Sequence, residues 1–421
     1  MNKSKIIAAI VSAAAFAGIL SSCSTAETSD ISAETGVQTA ATAQLKHTEA
    51  VYSTGEISGS FNNAFLKEYL KENDSFVISP LSAKLVVSMA AAGADSGTGT
   101  EKELLELFGY GTKEDMLSDC GRIIEELDAS ETIDTANSVW LSDRLNGFND
   151  SYGDTLKDIF SAEFFTQDLS SENFVKKING WVSDNTKKMI PKLLNQPLSE
   201  DARLALVNAL YFKNEWLFKF DEYATHDRDF HGKSGTVQIP TMYLAERLQY
   251  GEGKKFKSVV LPYTDGSYMR VYLPLDENAQ IADLIAEMSV EELNAEFEEG
   301  YDIADIVLSM PKFECESGSS LLEMLERLGV REAFDPQTAA FGEMTDSNEK
   351  LYISKIIKAA KIVCNEDGTE AAAVTLEAMD AGGAMPANEI IEFTVDRPFL
   401  YEIKTASGET LFIGVMQDIN S

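Results

Sequence analysis

The sequence predicts a single α+β domain over residues 57–421, because recognisable motifs follow one another along this whole span. A length of about 365 residues would by itself allow two domains, since a domain commonly holds about 100–200 residues. The motifs, however, are distributed over the whole span, which indicates one domain and not two. Two of them are especially informative, an alanine-rich run at 365–375 and a strand-like run at 393–403.

The run at 365–375 has a composition that suits a loop able to become a strand. Gly368 allows backbone angles that bulkier residues avoid, so it can serve as a pivot. Because strand side chains alternate between faces, every second residue from Thr369 to Thr375 would share one face. All of these side chains are small, so they could enter between existing strands without overpacking a sheet. For this run alone, an alanine-rich surface loop or a short helix is the alternative.

Further motifs occur earlier in the chain, at residues 76–82, 137–140, 178–182, 206–216, 310–313 and 328–334. In order and spacing they resemble the motifs of the serpin family, and the resemblance covers almost all of the chain after residue 57. It implies an α+β fold in which a large mixed main β-sheet and two smaller sheets are surrounded by helices. A reactive-centre loop would be exposed at about residues 366–390. One departure is Asn214, which stands where the family usually has glycine.

The resemblance implies a serine protease inhibitor that acts as a suicide substrate. The target protease would cleave the loop, and the loop would insert into the main sheet while the protease stays attached as an acyl-enzyme. Because non-inhibitory serpins often carry bulky, charged or proline residues in the hinge, the hinge composition favours inhibition. A non-inhibitory binding protein with the same fold, on the cell surface, is the alternative. The hinge residues implied are Glu366, Gly368, Thr369, Glu370, Ala371, Ala372 and Ala373.

A second set of residues corresponds to those that control opening of the main sheet in the family. Lys358 stands where the family usually has histidine. Because a buried ammonium is costly without hydrogen bonds, we expect Lys358 to contact neighbouring polar groups or to turn partly outward. Lys312 and Glu366 correspond to the family's salt bridge at the upper end of the sheet. The full set is Ser79, Ser82, Asn208, Lys358, Trp216 and Lys312.

The loop carries no arginine or lysine between Glu366 and Arg397, which argues against a trypsin-like target. Counting forward from Glu366 by the family's spacing places the cleaved bond at Gly382–Gly383, whereas counting back from the downstream strand places it within 384–387. A small or aliphatic residue before the bond suits an elastase-like or subtilisin-like protease. The predicted bond is Ala384–Met385, with Ala381–Gly382 and Met379–Asp380 as alternatives.

The N-terminus resembles a bacterial lipoprotein signal. Two lysines precede an apolar run at 6–20, which is too short to be read as a spanning helix and is followed by a Leu-Ser-Ser-Cys sequence ending at Cys23. We expect residues 1–22 to be removed and Cys23 to carry lipid; an ordinary secretory signal with a chance cysteine is the alternative. Residues 23–56 are mostly polar and would form a flexible tether. The expected location is therefore the surface of a bacterial cell or the extracellular space, with a lipid anchor in the membrane.

The charge and the histidine content argue against several function classes. With 69 acidic against 35 basic residues the net charge is −34, which excludes nucleic acid as a partner. The three histidines, His47, His226 and His231, match no nucleophile elbow, zinc helix or phosphate loop. We expect no enzymatic activity, no cofactor and no metal site. The predicted partners are a serine protease, held covalently, and the membrane, and the protein should be a monomer that polymerises when destabilised.

The cysteines show no disulfide framework, since only three of them follow Cys23. The resemblance places Cys315 and Cys364 on adjacent strands of the main sheet. Counting alternate faces from Lys312 and Glu366 puts the two thiols on opposite faces. We therefore expect no disulfide between them.

Overall fold

The computed structural model describes residues 56–288, 292, 302–347, 350–369 and 390–419, with the backbone alone for 56–60, 317–319 and 359. All of these residues belong to one compact unit that comprises residues 44–421. Several predicted sites fall outside the described residues and stay predictions. They are the signal segment, Cys23 and the tether up to residue 55, the later hinge residues Glu370, Ala371, Ala372 and Ala373, and every candidate for the reactive bond from Met379 to Met385.

Four of the described α-helices begin after a serine or threonine whose side chain accepts a hydrogen bond from the first turn. In the second helix Ser79 Oγ accepts a hydrogen bond from Ser82 N at 3.1 Å, and Pro80 takes the first position, where no backbone donor is needed. In the described residues the helices are α1 (Glu56–Leu70), α2 (Pro80–Ala92), α3 (Gly99–Glu106), α4 (Lys113–Asp128), α5 (Asp150–Phe160), α6 (Glu172–Asn185), α7 (Ile281–Glu287) and α8 (Leu322–Arg327), with 3-10 turns at Glu222–Ala224 and Glu332–Phe334.

The strands form two sheets. Those described are β1 (Phe76–Ile78), β2 (Ile133–Ser142), β3 (Glu163–Gln167), β4 (Leu204–Phe212), β5 (Asn214–Glu215), β6 (His226–Gly232), β7 (Gly235–Glu252), β8 (Phe256–Pro262), β9 (Tyr268–Pro274), β10 (Asp302–Pro311), β11 (Phe313–Ser320), β12 (Ile353–Cys364), β13 (Gly368–Thr369), β14 (Ile390–Thr394), β15 (Phe399–Lys404) and β16 (Thr410–Met416). All nine residues of β4 are buried, which explains why its sequence is a nearly continuous apolar run.

One sheet is a ladder of nine strands in the order β1-β16-β15-β9-β8-β7-β10-β14, with β6 paired to β7. The long strand β7 joins the two parts of this ladder. It pairs with β6 and then β10 along most of its length, and with β8 from Gln249 to Glu252. The two smaller sheets that the sequence predicts are therefore hydrogen-bonded to each other through β7.

The main sheet has seven strands in the order β3-β2-β4-β12-β13-β5, with β11 also paired to β12. It is mixed, since β4 is antiparallel to β2 and parallel to β12. Direct pairing of β4 with β12 ends at Ala209 and Ala359, and beyond this point β13 lies between β12 and β5. The predicted α+β architecture with a mixed main sheet is confirmed. We refer to the end of the sheet that holds β13 as the upper end.

The main sheet is covered on both faces. On one face α2 packs against β4, and Leu206 lies in the central core. On the other face α6 packs against β2 and β4, and Ile178 and Val207 share a second core cluster with Trp140. Trp140 stacks on Phe165 with ring centroids 4.0 Å apart. A strand added between β4 and β12 would therefore have to fit between two packed layers.

The prediction that Cys315 and Cys364 point to opposite faces is wrong. Phe313 lies opposite Cys364 in the register of β11 with β12, and Cys315 follows two residues after Phe313, so both thiols share one buried face. The count of alternate faces fails because Lys312 lies between β10 and β11, outside the regular alternation. Both thiols are free, as is that of Cys120.

The three described thiols should be unreactive in the native protein. Burial raises the pKa of Cys120 to about 11, raises the pKa of Cys315 to about 12, and raises the pKa of Cys364 as well. Because the thiolate is the reactive form, we expect no reaction with a chromogenic disulfide reagent at pH 8 until the protein is denatured in guanidinium. All three thiols should then react. A denatured protein in which two of the three stay silent would contradict their assignment as free cysteines.

Candidate functional site

The first residues of the predicted hinge already form a strand in the uncleaved chain. β13 is antiparallel to both neighbours, with Thr369 opposite Cys364 on β12 and Gly368 opposite Glu215 on β5. The chain therefore turns back at the upper end of β12 and starts down the gap beside it. The sequence indicated that the hinge could become a strand, and in the structure its residues Gly368 and Thr369 already form one.

The turn that precedes β13 is held by its own side chain and by Trp216. Asn365 Oδ1 accepts hydrogen bonds from Asp367 N at 3.1 Å and from Gly368 N at 3.2 Å. Trp216 donates from Nε1 to Asn365 O at 2.9 Å and from its backbone N to Asp367 O at 2.8 Å. Trp216, a predicted sheet-opening residue, thus fixes the point at which the loop leaves β12.

Gly368 is needed for close approach of two backbones. A Cβ atom at this position would lie 2.1 Å from Asn214 O and 2.8 Å from Glu215 Cα, and backbone atoms cannot move aside cheaply. The φ angle of Gly368 is not in the left-handed region. In the closed sheet, therefore, Gly368 is needed because it has no Cβ, and not because glycine can adopt unusual backbone angles.

Thr369 is fully buried, and its hydroxyl has a specific partner. Tyr263 Oη and Thr369 Oγ1 are 2.6 Å apart, and the Tyr263 ring stacks on Trp216 with centroids 4.4 Å apart and planes inclined by 10°. Burial raises the pKa of Tyr263 well above its ordinary value, so the phenol keeps its proton. One stacked pair of rings therefore holds both the turn and the first inward-facing hinge residue.

The ion pair expected between Lys312 and Glu366 is present, with Lys312 Nζ 2.7 Å from Glu366 Oε2. Thr225 Oγ1 donates to the other carboxylate oxygen at 2.9 Å. Burial alone would raise the pKa of Glu366, but the hydrogen bonds from Lys312 and Thr225 outweigh it and hold that pKa below its ordinary value. The carboxylate is 9 % exposed and the Lys312 side chain 39 %, so the pair can reach solvent from one side.

Asn214, where the family usually has glycine, connects β5 to the turn between β8 and β9. Its Oδ1 accepts hydrogen bonds from Glu215 N and Thr264 Oγ1, both at 2.8 Å, and its Nδ2 donates to Ser267 Oγ at 3.2 Å. The backbone of Asn214 is also the neighbour that Gly368 approaches. This departure thus strengthens the strand against which β13 lies.

The polar residues lower in the main sheet lie where β4, β12 and α2 meet. Asn208 is the register partner of Lys358 across β4 and β12. Asn208 Nδ2 donates to Asn137 Oδ1 at 2.8 Å and Thr135 Oγ1 at 3.2 Å, which binds β4 to β2. Ser79 caps α2 instead of contacting β4 or β12 through a described hydrogen bond. The predicted sheet-opening residues are thus divided between the upper end and this lower cluster.

The expectation that Lys358 contacts polar groups or turns outward is wrong. Its side chain is fully buried, and Nζ has no hydrogen-bond partner among the described residues. Lys358 Nζ instead lies 4.7 Å from the ring centroid of Tyr69 and 5.5 Å from that of Phe65. Loss of hydration lowers the pKa of Lys358 to about 7. Ring faces on α1 take the place of the polar contacts expected from the sequence.

Several residues of the site had no role assigned from the sequence. Tyr263 and Thr225 belong to no motif, and Asn365 begins the informative run at 365–375 without a predicted contact. Tyr69 and Phe65 look like ordinary apolar positions of a helix. Their roles depend on which strand or helix the fold brings next to the hinge and to Lys358.

The described residues hold neither a membrane-spanning helix nor a cluster of metal ligands. None of the helices described is both long enough and apolar enough to cross a lipid bilayer. Within the same residues, histidine, cysteine and carboxylate side chains do not gather in groups of three that would suit a metal ion.

Comparison with known proteins identifies the family. The family model described as "Serpin (serine protease inhibitor)" matches residues 56–419. The chain therefore belongs to the serpin family, and protease inhibition is the function that the family supports in general terms.

Individual relatives match over most of their length. Iripin-5 of Ixodes ricinus is 30% identical over 375 residues, which covers 84% of this chain and 92% of that protein. Antichymotrypsin-2 of Bombyx mori is 29% identical over 366 residues, covering 85% and 96%. Among solved structures, the native state of the thermophilic serpin tengpin superposes with a TM-score of 0.78 at 28% identity, covering 86% of this chain and 93% of that chain.

Replacement of Gly368 by alanine should dislodge β13. The added Cβ would overlap backbone atoms of Asn214 and Glu215, and overpacking of this kind costs about 1–3 kcal/mol. We expect a thermal midpoint several degrees below that of the wild type, measured by circular dichroism. Gly180→Ala is the matched control, because Gly180 is exposed on α6 with no atom within 4 Å of an added Cβ. The control should be neutral or slightly stabilising, and equal midpoints for both variants would contradict the packing described for Gly368.

The ion pair at the upper end predicts a pH dependence. Because the pKa of Glu366 is depressed in the folded protein, its contribution to stability is present above the ordinary value of 4.5 and is lost as the pH falls through the folded pKa. Glu366→Gln should therefore lower the free energy of unfolding by about 1–2 kcal/mol at pH 7. The difference from wild type should shrink below about pH 4. A gap that stays constant down to pH 3 would show that charge is not responsible.

Proposed function

We propose that this chain inhibits serine proteases as a suicide substrate, by inserting its cleaved loop into the main sheet. The observation that carries the proposal is the position of Gly368 and Thr369, which already pair with β5 and β12. A strand continued from Thr369 would next reach the line along which β4 and β12 pair. The relative antichymotrypsin-2 of Bombyx mori bears the name of a protease inhibitor, which supports the same function.

Insertion would exchange one ladder of main-chain hydrogen bonds for two. β4 and β12 pair directly over residues 204–209 and 353–359. A strand between them would replace this ladder by one with each neighbour, and strand addition of this kind is driven by main-chain hydrogen bonds. Every second residue after Thr369 would face the core, and up to residue 375 these are two alanines and a threonine. Their small size allows entry between the packed layers.

The trapped complex would be an ester. The serine hydroxyl of the protease attacks the carbonyl carbon of the residue on the N-terminal side of the cleaved bond. The amine of the next residue leaves, and the acyl-enzyme remains. Insertion of the loop then moves the attached protease away from the place where it bound the loop, before water hydrolyses the ester. Trapping therefore requires insertion to be faster than deacylation.

The loop composition favours an elastase-like or subtilisin-like target. No arginine or lysine lies between Glu366 and Arg397, so a primary pocket that selects a basic side chain finds no anchor in this stretch. Cleavage is proposed at Ala384–Met385, with Ala381–Gly382 and Met379–Asp380 as alternatives. A small or aliphatic side chain before the bond suits a shallow apolar pocket.

The proposed location is the surface of a bacterial cell. Lipid on Cys23 would anchor the chain, and the polar tether would hold the inhibitory domain away from the membrane. At this place the protein would meet proteases from outside the cell. The net charge of −34 would speed encounter with proteases of positive surface potential, an effect that salt weakens.

The test compares two adjacent arginine substitutions in the hinge. Thr369 faces the core, so alternation places Ala371 on the same face of an inserted strand and Ala372 on the opposite face. In Ala371→Arg a guanidinium would have to enter the core, and a barrier raised by about 2.7 kcal/mol slows insertion about a hundredfold. This variant should be cleaved by elastase or subtilisin as a substrate. Ala372→Arg adds the same charge and should still inhibit.

The measurement is incubation with elastase and subtilisin, followed by a denaturing gel and mass spectrometry of the released peptide. Wild type and Ala372→Arg should give a complex that resists denaturation, and Ala371→Arg only a cleaved chain. Cleaved wild type should also unfold at a temperature tens of degrees higher than the intact protein, because insertion releases stored strain. Complete digestion of wild type with no rise in its thermal midpoint would favour the non-inhibitory binding protein.

A further inference from the structure

The contact between β4 and β12 contains a buried amine that no carboxylate among the described residues neutralises. Lys358 lies opposite Asn208 in the register of the two strands and is fully buried. Its Nζ has no hydrogen-bond partner among the described residues, and neither do Asn208 Oδ1 on β4 and Ser82 Oγ on α2. A strand that enters the main sheet has to separate β4 from β12 at this point.

The groups around Lys358 are neutral. Helix α1 presents the rings of Phe65 and Tyr69, the phenol of Tyr69 being its one titratable group at this position, and β4 presents the amide of Asn208. Strand β11 places Ser319 in register with Lys358, and β1 is apolar throughout. The described carboxylates of these elements pair with other cations: Glu68 with Lys71 and Arg327, and Glu314 and Glu316 with Lys361. Lys84 on α2 pairs with Asp119, Lys67 on α1 donates to the backbone oxygen of Ala286, and Lys355 is the remaining cation of β12. Among the described residues, then, no carboxylate offsets a charge on Lys358.

We propose that Lys358 is a proton-controlled latch on the main sheet, in which the neutral amine keeps β4 and β12 together and protonation favours their separation. The physical reason is hydration. In the closed sheet the amine is surrounded by rings and strands, whereas separation of β4 from β12 admits water to Nζ. An ammonium is stabilised by water far more than an amine is, so a proton on Nζ favours the open sheet.

The direction of the pH effect follows from the number of protons that each state binds. Burial lowers the pKa of Lys358 to about 7 in the closed sheet, and a hydrated lysine has a pKa near about 10.4. Between these values the open state binds more protons, so a fall in pH favours opening by at most about tenfold per pH unit. Below about pH 7 both states carry the proton, and the effect levels off.

The experiment measures opening without any protease, so its result is independent of the proposed inhibition. A synthetic peptide with the sequence of residues 369–380 is added to the intact protein, and its annealing as an extra strand is followed by native gel electrophoresis. The range pH 7.5–9.5 lies above the ordinary pKa of histidine and of carboxylates. The annealing rate of the wild type should rise severalfold for each unit by which the pH is lowered.

Variants identify the responsible group. Lys358→Met removes the amine and should anneal at one slow rate over the whole range. Lys361→Met is the matched control, since Lys361 lies on the same strand but on its outer face, with Glu314 and Glu316. It should keep the pH dependence of the wild type. Lys358→His retains a polar ring that is neutral throughout the range, so it should also lose the dependence, and it serves if Lys358→Met does not fold.

Three results would overturn the latch. The first is a wild-type rate that does not change with pH, or a peptide that does not anneal at any pH. The second is a pH dependence that survives in Lys358→Met or Lys358→His. The third is a dependence lost equally in Lys361→Met, which would assign the effect to the total charge of the strand. Proteases trapped by a wild type with no pH dependence would leave the proposed function standing while the latch fails.

Discussion

The direct pairing of β4 with β12 is the contact on which the rest of this molecule depends. It closes the main sheet over only part of the length of β12, because β13 lies between β12 and β5 at the upper end. The same two strands have α2 on one face and α6 on the other. The closed sheet therefore lies between two packed helices. A strand that enters it must have side chains small enough to fit between them. The small hinge residues meet that requirement.

The upper end is held by contacts of several kinds that act on one short segment. An ion pair fixes Glu366, an amide turn reverses the chain at Asn365, and the stacked rings of Trp216 and Tyr263 hold both the turn and Thr369. Each contact would have to rearrange if the loop moved further into the sheet or withdrew from it. In the proposed mechanism, the uncleaved chain is at the beginning of insertion, and the β4–β12 ladder opposes the remainder.

Two departures from the family pattern act at the two ends of this line. The Asn214 side chain hydrogen-bonds to the turn after β8 and so stabilises β5, the strand beside β13. Lys358 places an amine among aromatic rings, where burial disfavours its charge. The first stabilises the segment that has already entered the sheet. Under the proposed latch, the second would make the closed part of the sheet sensitive to protons, so the two residues would act on different stages of the same movement.

The family, the hinge segment and the Lys312–Glu366 pair could be predicted from the amino-acid sequence, because they depend on short motifs and on the spacing between them. The sequence could not show that Gly368 and Thr369 already lie between strands, that Cys315 and Cys364 share a face, or that Lys358 turns inward onto Tyr69 and Phe65. These facts depend on register across a sheet and on the helix packed behind it. Alternation counted along one strand cannot supply them, since a single irregular residue such as Lys312 shifts the count, and the partners that decide burial lie far away in the chain.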